Sequence, residues 1–373
     1  MDSSVFDEAS STSSAASPAG LDEAVAAMMR IGRIPGVSLA VVDHERLLHA
    51  GGYGVADLGA RVRATPRTAY LWFSMTKIVT ATAVMRLVES GHIGLDAAAA
   101  DYVDYLTGPE PGLPTVGQLL THTAGLSNPL PLRWVHAAQD EPPPVEDMLR
   151  SLMRRRRAYR YAAGGTARYS NVGYLALGQI IEAVTGTSVE TYVRQAVLEP
   201  VGMTGTGFAY QPGAPAAVGY VRAPRVADPV LRRMLPRDVA GSRTGPCLGL
   251  RPFYVDGPAY GGLVGDVVDA ARFLRMHLAD GQIDGRRILS ADTTRAMRVI
   301  GHPGKPFHHG IGWFRRPGPG AQEWVEHFGA GAGFWNVMRL YPDRDLGIVV
   351  MTNSTTGYDF DPVFSLLAKA TWS

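Results

Sequence analysis

Cysteine is almost absent from this chain of 373 residues. The single cysteine, Cys247, excludes an internal disulfide, and we expect an inert packed thiol because no helix start or basic cluster adjoins it in the sequence. Long apolar runs are missing as well, since no stretch reaches the roughly 18 residues that a membrane-spanning helix needs. The sequence therefore predicts neither a disulfide scaffold nor a membrane partner.

A charge of one sign is also lacking. The 36 lysines and arginines nearly balance the 34 acidic residues, and the net charge of +2 is too small to suggest a nucleic-acid partner. A hydrophobic content of 46% and a charged content of 19% are typical of a soluble globular protein. The length suits one large domain or two of ordinary size.

The N-terminus lacks an export signal. Residues 1–10 are acidic and polar, without the basic start and apolar centre that such a signal requires. We therefore expect a cytoplasmic protein, although a chain from which a signal has been removed would look the same. Residues 1–18 are rich in serine and alanine, which predicts a flexible tail.

Strand patterns occur at both ends of the chain. Near the start, Gly36–Val42 and residues 47–53 predict a hairpin after a helix over 21–31, and near the end residues 335–341 and 346–353 predict a second hairpin before a helix over 362–372. The simplest assembly is an α/β (α+β) fold in which 19–91 and 300–373 form one antiparallel sheet flanked by helices. Residues 92–299 would form an inserted, mostly helical domain, with a site in the cleft between the two.

The middle of the chain alternates helical patterns with loops rich in proline and glycine. We predict helices over 115–120, from Val145 onward, over Asn171–Thr185 and over 261–278. Residues 212–258 show no regular pattern, which predicts surface loops around the site.

The most informative stretch is the helix predicted from Ser74 to Gly91. Its residues are apolar nearly all round, which is typical of a buried helix, yet its first turn carries Ser74 and Lys77 on one face. Burial and the helix dipole both disfavour a charged lysine there, and a neutral lysine can accept a proton from the serine. This S-x-x-K pattern makes Ser74 the candidate nucleophile and Lys77 its activator. The alternative is a capping serine followed by a solvated lysine.

A second motif places Tyr169 and Asn171 in a loop that enters a helix. A phenol beside the serine and the lysine could pass a proton between nucleophile and leaving group. Asn171 could hydrogen-bond both Lys77 and a substrate carbonyl. The alternative interpretation is that Asn171 caps the helix and Tyr169 merely packs against it.

A third motif precedes the strand near Trp335. His327, Phe328 and Gly329 stand there, followed by two more glycines that let backbone approach a ligand. A phosphate-binding G-x-G loop fits poorly because no strand-then-helix context follows. An edge strand that lines the cleft and aims a backbone N–H at an oxyanion fits better.

The three motifs together resemble the serine penicillin-recognising family, in its Y-x-N and H-x-G branch. That family groups class C β-lactamases, D-Ala-D-Ala peptidases and family VIII carboxylesterases. The resemblance covers about residues 20–370 and includes stretches outside the site, at 35–38, 119–126, 173–178, 199–203 and 343–350. It implies the β-lactamase/transpeptidase-like fold.

The resemblance also implies a mechanism. Ser74 attacks a carbonyl to form an acyl-enzyme, and Lys77 and Tyr169 share the roles of general base and acid. The N–H groups of Ser74 and Ala330 hold the oxyanion, and water releases the acid. The remaining motif positions imply substrate-binding roles for Asn171, His327, Phe328 and Gly329. No metal and no cofactor are implied.

Two departures from the family pattern favour an ester substrate. Penicillin-hydrolysing members commonly have a lysine and a hydroxyl residue where this chain has His327 and Phe328, and a neutral imidazole beside an apolar ring suits an uncharged ester better. The missing export signal points the same way. We therefore expect a carboxylesterase of the family VIII type that acts on small esters with short acyl chains. A β-lactamase, a D-Ala-D-Ala peptidase-type amide hydrolase, an acyltransferase and a non-catalytic binding domain remain alternatives, and the oligomeric state is open.

Overall fold

The computed structural model describes residues 18–107, 113–129, 134–154, 158–317, 323–355 and 358–372. The predicted N-terminal tail lies outside these residues, apart from its last position. The main helices are α1 Leu21–Gly32, α2 Thr76–Glu89, α3 Val116–Leu120, α4 Val145–Met153, α5 Asn171–Thr185, α6 Val189–Val193, α7 Glu199–Val201, α8 Asp228–Met234, α9 Pro258–Gly261, α10 Val267–Leu278, α11 Ala291–Arg298 and α12 Asp361–Lys369.

The strands are β1 Gly36–Val42, β2 Leu47–Asp57, β3 Val62–Arg63, β4 Tyr70–Leu71, β5 Val135–Ala137, β6 Tyr220–Arg222, β7 Ala240–Thr244, β8 Cys247–Leu250, β9 Phe253–Val255, β10 Val264–Gly265, β11 Gln282–Ile283, β12 Arg286–Arg287, β13 His308–His309, β14 Phe314–Arg315, β15 Val325–Gly331, β16 Phe334–Tyr341 and β17 Leu346–Thr352.

The two ends of the chain meet in one sheet. Its eight strands run in the order β13-β14-β15-β16-β17-β1-β2-β3, and neighbouring strands are antiparallel. The central contact joins β1 to β17, where Val37 lies opposite Thr352. The predicted antiparallel sheet flanked by helices is therefore confirmed.

Both faces of the sheet centre are buried. In β1, the side chains of Val37, Leu39 and Val41 belong to the core that the sheet shares with α1 and α12. The alternate side chains, Ala40 and Val42, join the larger core on the opposite face. Successive side chains in a strand point to opposite faces, so the apolar run of β1 fills two cores.

Helix α2, which follows Ser74, lies on the larger core together with α5 and α9. Helix α10 falls within the segment predicted as the helical domain, but it packs directly on β1 and β17. The domain boundaries at 19–91, 92–299 and 300–373 stay a prediction.

The prediction of irregular loops over 212–258 was wrong for much of this segment. Strands β6, β8 and β7 form a three-stranded antiparallel sheet, and α8 lies between β6 and β7 in the chain. The strands are only three to five residues long, too short for a clear alternation pattern. Side chains of this segment do lie beside Ser74, among them Val221 and Leu235.

Candidate active site

Ser74 lies in a single 3₁₀ turn, Phe73–Met75, that leads directly into α2. The preceding residue, Phe73, has a φ of 46°, a left-handed conformation that is unusual for a bulky side chain. Its ring is held between Phe253 and Phe334, each with a centroid separation of 6.3 Å. Strain of this kind, on the order of 1–3 kcal/mol, persists only where the surroundings impose it. The packing thus holds the turn that presents Ser74.

Lys77 is completely buried and bonded to three oxygens. Its Nζ lies 3.1 Å from Ser74 Oγ. It donates to Asn171 Oδ1 at 2.8 Å and to the backbone carbonyl of Tyr260 at 2.9 Å. The solvated lysine of the alternative interpretation is therefore not what the structure shows.

The environment of Lys77 favours a neutral amine. Burial holds the pKa of Lys77 well below its ordinary value, and the bonded oxygens belong to neutral groups. A neutral amine has two N–H bonds and one lone pair. The carbonyl oxygens of Asn171 and Tyr260 accept both N–H bonds, which directs the lone pair at the hydroxyl of Ser74, the one partner with a proton to give.

The Y-x-N loop is fixed by a neighbouring serine. Ser170 is the N-cap of α5, and its side chain accepts a hydrogen bond from the N–H of Gly173. Asn171 is instead the first helical residue, with its own N–H bonded to Asn128 Oδ1 at 2.9 Å. Because Ser170 performs the capping, the side chain of Asn171 is available to Lys77.

Tyr169 contacts both Ser74 and Lys77. Its hydroxyl makes a side-chain hydrogen bond with Ser74, and Lys77 Nζ lies 4.8 Å from the centre of its ring. Burial raises the pKa of Tyr169, and the bond to Ser74 offsets part of that rise. The phenol therefore keeps its proton at neutral pH and is placed to donate it.

The H-x-G strand passes close to the Ser74 turn. Among the described residues β14 pairs with β15 at Glu326 alone, and β15 itself contacts the 3₁₀ turn that carries Ser74. At Gly329 a Cβ atom would lie 1.9 Å from the carbonyl oxygen of Trp72, so this approach requires glycine. Ala330 lines the same cavity as Ser74.

The three residues of the H-x-G motif, His327, Phe328 and Gly329, do not themselves line this cavity. His327 is buried next to the ring of Tyr169, with Nδ1 2.7 Å from the carbonyl oxygen of Phe328. Burial holds the pKa of His327 well below its ordinary value. The ring of Phe328 packs against Phe307 and Trp335 on the opposite face of the strand. The geometry therefore gives Phe328 no contact with a ligand at Ser74.

The cavity at Ser74 has a volume of about 340 Å³ and is mainly apolar. Its polar lining comes from Ser74, Asn171 and Tyr260, and no charged side chain lines it among the described residues. The apolar lining is Phe73, Trp134, Val135, Val221, Leu231, Met234, Leu235, Val255, Ala330 and Ala332. Cavities of this size and character are typical of small-molecule sites.

Sequence reasoning missed three partners of the motif residues. Tyr260 acts through its backbone carbonyl, which leaves no side-chain signature. Asn128 follows the 119–126 stretch, which was noted only as a resemblance. His122 belongs to that stretch, and its Nδ1 accepts the N–H of Ser170 at 3.1 Å while its ring lies 4.7 Å from that of Tyr169. The stretch 119–126 was thus a signal for His122, although no contact could be assigned to it, whereas Asn128 lies outside that stretch.

The family model described as Beta-lactamase matches residues 21–368 of this chain. The chain belongs to the Beta-lactamase family. The resemblance drawn from the three motifs is thereby confirmed, and the chain is a serine hydrolase of the β-lactamase fold. Penicillin-binding protein 4 of Amycolatopsis lactamdurans is 28% identical over 358 residues, which cover 88% of this chain and 83% of that protein.

Solved structures of other β-lactamase-fold proteins share this architecture. The octameric penicillin-binding protein homologue from Pyrococcus abyssi superimposes with a TM-score of 0.78 and 26% identity, over 93% of this chain and 76% of that one. EstCE1, a hydrolase with promiscuous acyltransferase activity, gives a TM-score of 0.72 over 94% of this chain and 98% of its own. At 20% identity, this superposition shows a common fold and nothing further.

The histidine, cysteine and carboxylate side chains of the described ranges form no group of three or more that could hold a metal ion. In the part of the chain with described coordinates, every helix is too short or too polar to cross a bilayer.

Proposed function

We propose that this β-lactamase-fold protein is a carboxylesterase that cleaves small esters with short acyl chains through an acyl-enzyme on Ser74. The observation that carries this proposal is the buried Lys77 amine, held 3.1 Å from Ser74 Oγ by two carbonyl acceptors. This arrangement supplies a base of lowered pKa directly at a hydroxyl nucleophile.

The acylation step follows from these contacts. Ser74 Oγ attacks the ester carbonyl carbon as its proton passes to Lys77 Nζ. The carbonyl oxygen takes the negative charge and is held by the N–H groups of Ser74 and Ala330. As the ester C–O bond breaks, Tyr169 gives its proton to the departing alkoxide and recovers one from Lys77. Water then attacks the acyl-enzyme by the same route in reverse.

The cavity lining supports an uncharged, small acyl group. No charged side chain among the described residues lines the cavity, so a substrate carboxylate would have no partner there. The volume of about 340 Å³ suits a short chain. His327 supports this interpretation only indirectly, because it is buried beside Tyr169, and Phe328 does not support it.

Amide hydrolysis and acyl transfer use the same residues and differ in the group that leaves or the group that accepts. EstCE1, which shares the fold, is described as a hydrolase with promiscuous acyltransferase activity. Acyl transfer is therefore the second candidate, in which an alcohol replaces water as the acceptor.

The test compares turnover of p-nitrophenyl butyrate with turnover of nitrocefin by the wild-type chain. We expect ester hydrolysis to dominate, and we expect Ser74→Ala to lower it by about a thousandfold or more. A phosphonate should form one adduct, on Ser74, detectable by mass spectrometry of the digested protein.

The matched control is Ser242→Ala at an exposed serine, which should keep both activity and labelling. Labelling of a different serine would overturn the assignment of the nucleophile. Faster turnover of nitrocefin than of the ester would overturn the proposed substrate class. Formation of a butyl ester when butanol is added would show acyl transfer.

The cytoplasmic location expected from residues 1–10 stays a prediction.

A further inference from the structure

Residues 220–251, named here the basic flap, form one wall of the catalytic cavity. The flap contains β6, α8, β7 and β8, and its side chains Val221, Leu231 and Leu235 line the cavity beside Ser74. The surface of the flap that faces outward has an unusual composition.

The outward surface of the flap carries a stripe of exposed apolar side chains. Val226 is 86% exposed, Val230 is 58% exposed and Met234 is 42% exposed. Val226 lies in the turn before α8, and Val230 lies four residues later in α8. Met234, another four residues on, also lines the cavity at Ser74, so it lies where the outward surface meets the cavity. Exposed apolar residues scattered singly are normal, but Val226 and Val230 are continued by Met234 at the cavity and together form a patch.

The same flap is strongly cationic. It contains seven arginines and two aspartates, an excess of five positive charges, in a chain whose net charge is +2. Asp228 is bonded by Arg243, and Asp238 lies 3.4 Å from Arg251, so both carboxylates are engaged within the flap. The remaining arginines are Arg222, Arg225, Arg232, Arg233 and Arg237.

Hydrogen bonds from two arginines hold the parts of the flap together. Arg243 also donates to the carbonyl oxygen of Ala223 at 2.8 Å, and Arg232 donates to that of Gly241 at 3.0 Å. These bonds tie α8 and the turn before it to β7. The apolar stripe and the arginines beside it therefore keep a constant arrangement.

We propose that the basic flap docks on an anionic lipid surface. Apolar side chains that enter the acyl boundary, with arginines that meet anionic headgroups, are the two parts of an interfacial binding face. The absence of a membrane-spanning helix among the described residues concerns insertion across a bilayer, whereas this face would lie on its surface. Docking would bring the cavity mouth to lipid-dissolved esters, a consequence that rests on the proposed esterase function.

Charge argues against a second copy as the occupant. Two flaps that met face to face would place five excess positive charges against five more, and like charges across an interface are unfavourable. An apolar stripe also has no counterpart on a nucleic-acid backbone. An anionic amphiphile satisfies both the stripe and the charge.

The test is sedimentation of the full chain with vesicles of phosphatidylcholine alone or of phosphatidylcholine mixed with phosphatidylglycerol. We expect binding to the anionic vesicles, weakened by added salt, and little binding to the neutral ones. Arg225→Gln/Arg233→Gln/Arg237→Gln should weaken binding about a hundredfold, since each arginine near the surface contributes about 1 kcal/mol of attraction. Val226→Ser/Val230→Ser should weaken it about tenfold or more.

Matched controls make the same changes elsewhere on the surface. Ile31→Ser/Val299→Ser removes two exposed apolar side chains, and Arg30→Gln/Arg160→Gln/Arg286→Gln removes three exposed arginines; neither should alter binding. All four variants should hydrolyse monomeric p-nitrophenyl butyrate as the wild type does, since none of these residues lines the cavity.

Several outcomes would overturn the proposal. One is equal binding to neutral and anionic vesicles, and another is unchanged binding by the flap variants. A third is that the chain does not bind vesicles but self-associates with increasing concentration, and that Val226→Ser/Val230→Ser abolishes this self-association. Vesicle binding is measured without turnover, so a chain without esterase activity would still decide this inference.

Discussion

At the scale of residues, the position and the protonation state of the Lys77 amine are the features on which the proposed chemistry depends. Lys77 is held by Asn171 from α5 and by the carbonyl of Tyr260 from α9, so two separate elements orient one amine. The rings of Tyr169, Tyr174 and Tyr260 surround it at centroid distances between 4.8 and 5.6 Å. Such rings favour a cation, but complete burial opposes it more strongly, and the pKa of Lys77 is lowered.

Lys77→Arg should be almost inactive, because a guanidinium does not lose its proton in proteins. We expect kcat/KM for p-nitrophenyl butyrate to fall by about 10²–10⁴-fold, the usual contribution of a general base. Lys369→Arg, at an exposed position, is the matched control and should be unaffected.

The pH profile checks the same residue in the wild type. Because the pKa of Lys77 is lowered, kcat/KM should rise with pH through a pKa well below the ordinary lysine value and should not fall at moderately alkaline pH, since the pKa of Tyr169 is raised. Substantial activity of Lys77→Arg would remove Lys77 from the base role.

At the scale of elements, the site depends on how closely β15 approaches the turn before α2. Asn336 in β16 donates to the carbonyl oxygen of Leu71 at 2.7 Å and accepts the N–H of Thr352. This buried amide ties two strands of the sheet to the segment that carries the nucleophile. The N–H groups proposed to hold the oxyanion come from two elements: that of Ser74 from the turn before α2, and that of Ala330 from β15, which pairs with β16.

Gly329→Ala should separate those two elements. The added Cβ would lie 1.9 Å from the carbonyl oxygen of Trp72 and 3.1 Å from the N–H nitrogen of Met75, both of which are backbone atoms. We expect a loss of about 10²-fold in kcat/KM, as a displacement of about 1 Å produces. The free energy of unfolding of the variant should be about 1–3 kcal/mol lower than that of the wild type, as in other overpacked cores.

Gly301→Ala is the control for that substitution, because nothing lies within 4 Å of its Cβ position. Denaturant unfolding and ester kinetics on both variants decide the point. Wild-type kinetics for Gly329→Ala would mean that the strand does not need this close approach.

The whole molecule buries several histidines in neutral form. His122, His277, His309 and His327 are each at most 4% exposed. Burial lowers the pKa of His309 to about 4 and that of His277 to about 3. The unfolded chain binds protons near its ordinary histidine pKa of about 6.5 that the folded chain does not bind, so stability falls as pH decreases below that value.

His277→Leu should make this loss of stability less steep. His277 lies between Phe273 and Trp313, away from the catalytic cavity, and neither of its ring nitrogens has a hydrogen-bond partner among the described residues. Each unit of pKa difference corresponds to about 1.4 kcal/mol. Denaturant unfolding at about pH 7 and about pH 5, on either side of the ordinary histidine pKa, should therefore show a smaller difference in the variant than in the wild type.

His92→Leu, at an exposed position, should leave that difference unchanged. The same slope in His277→Leu and the wild type would show that the buried imidazole does not drive the acid sensitivity. The measured quantity is the change in the free energy of unfolding between the two pH values, so a variant that is more or less stable overall still gives a clear result.

Local patterns in the chain were sufficient to predict the three motifs, the family and the strands that join the chain ends. Periodicity and residue type are local properties, so β1, β17 and α5 could be located without coordinates. Ser74 and Lys77 could be paired for the same reason, because they are one helical turn apart.

Contacts between segments that are distant in the chain form only on folding, and these contacts could not be predicted from the sequence. The carbonyl of Tyr260 is a backbone group, common to every residue, and only the packing of α9 against α2 brings it to Lys77. The direction of Phe328 depended on which face of β15 meets the site, and a slip of one residue in a strand exchanges the two faces. The basic flap became a cavity wall because short strands pair across a turn, a contact that no local pattern records.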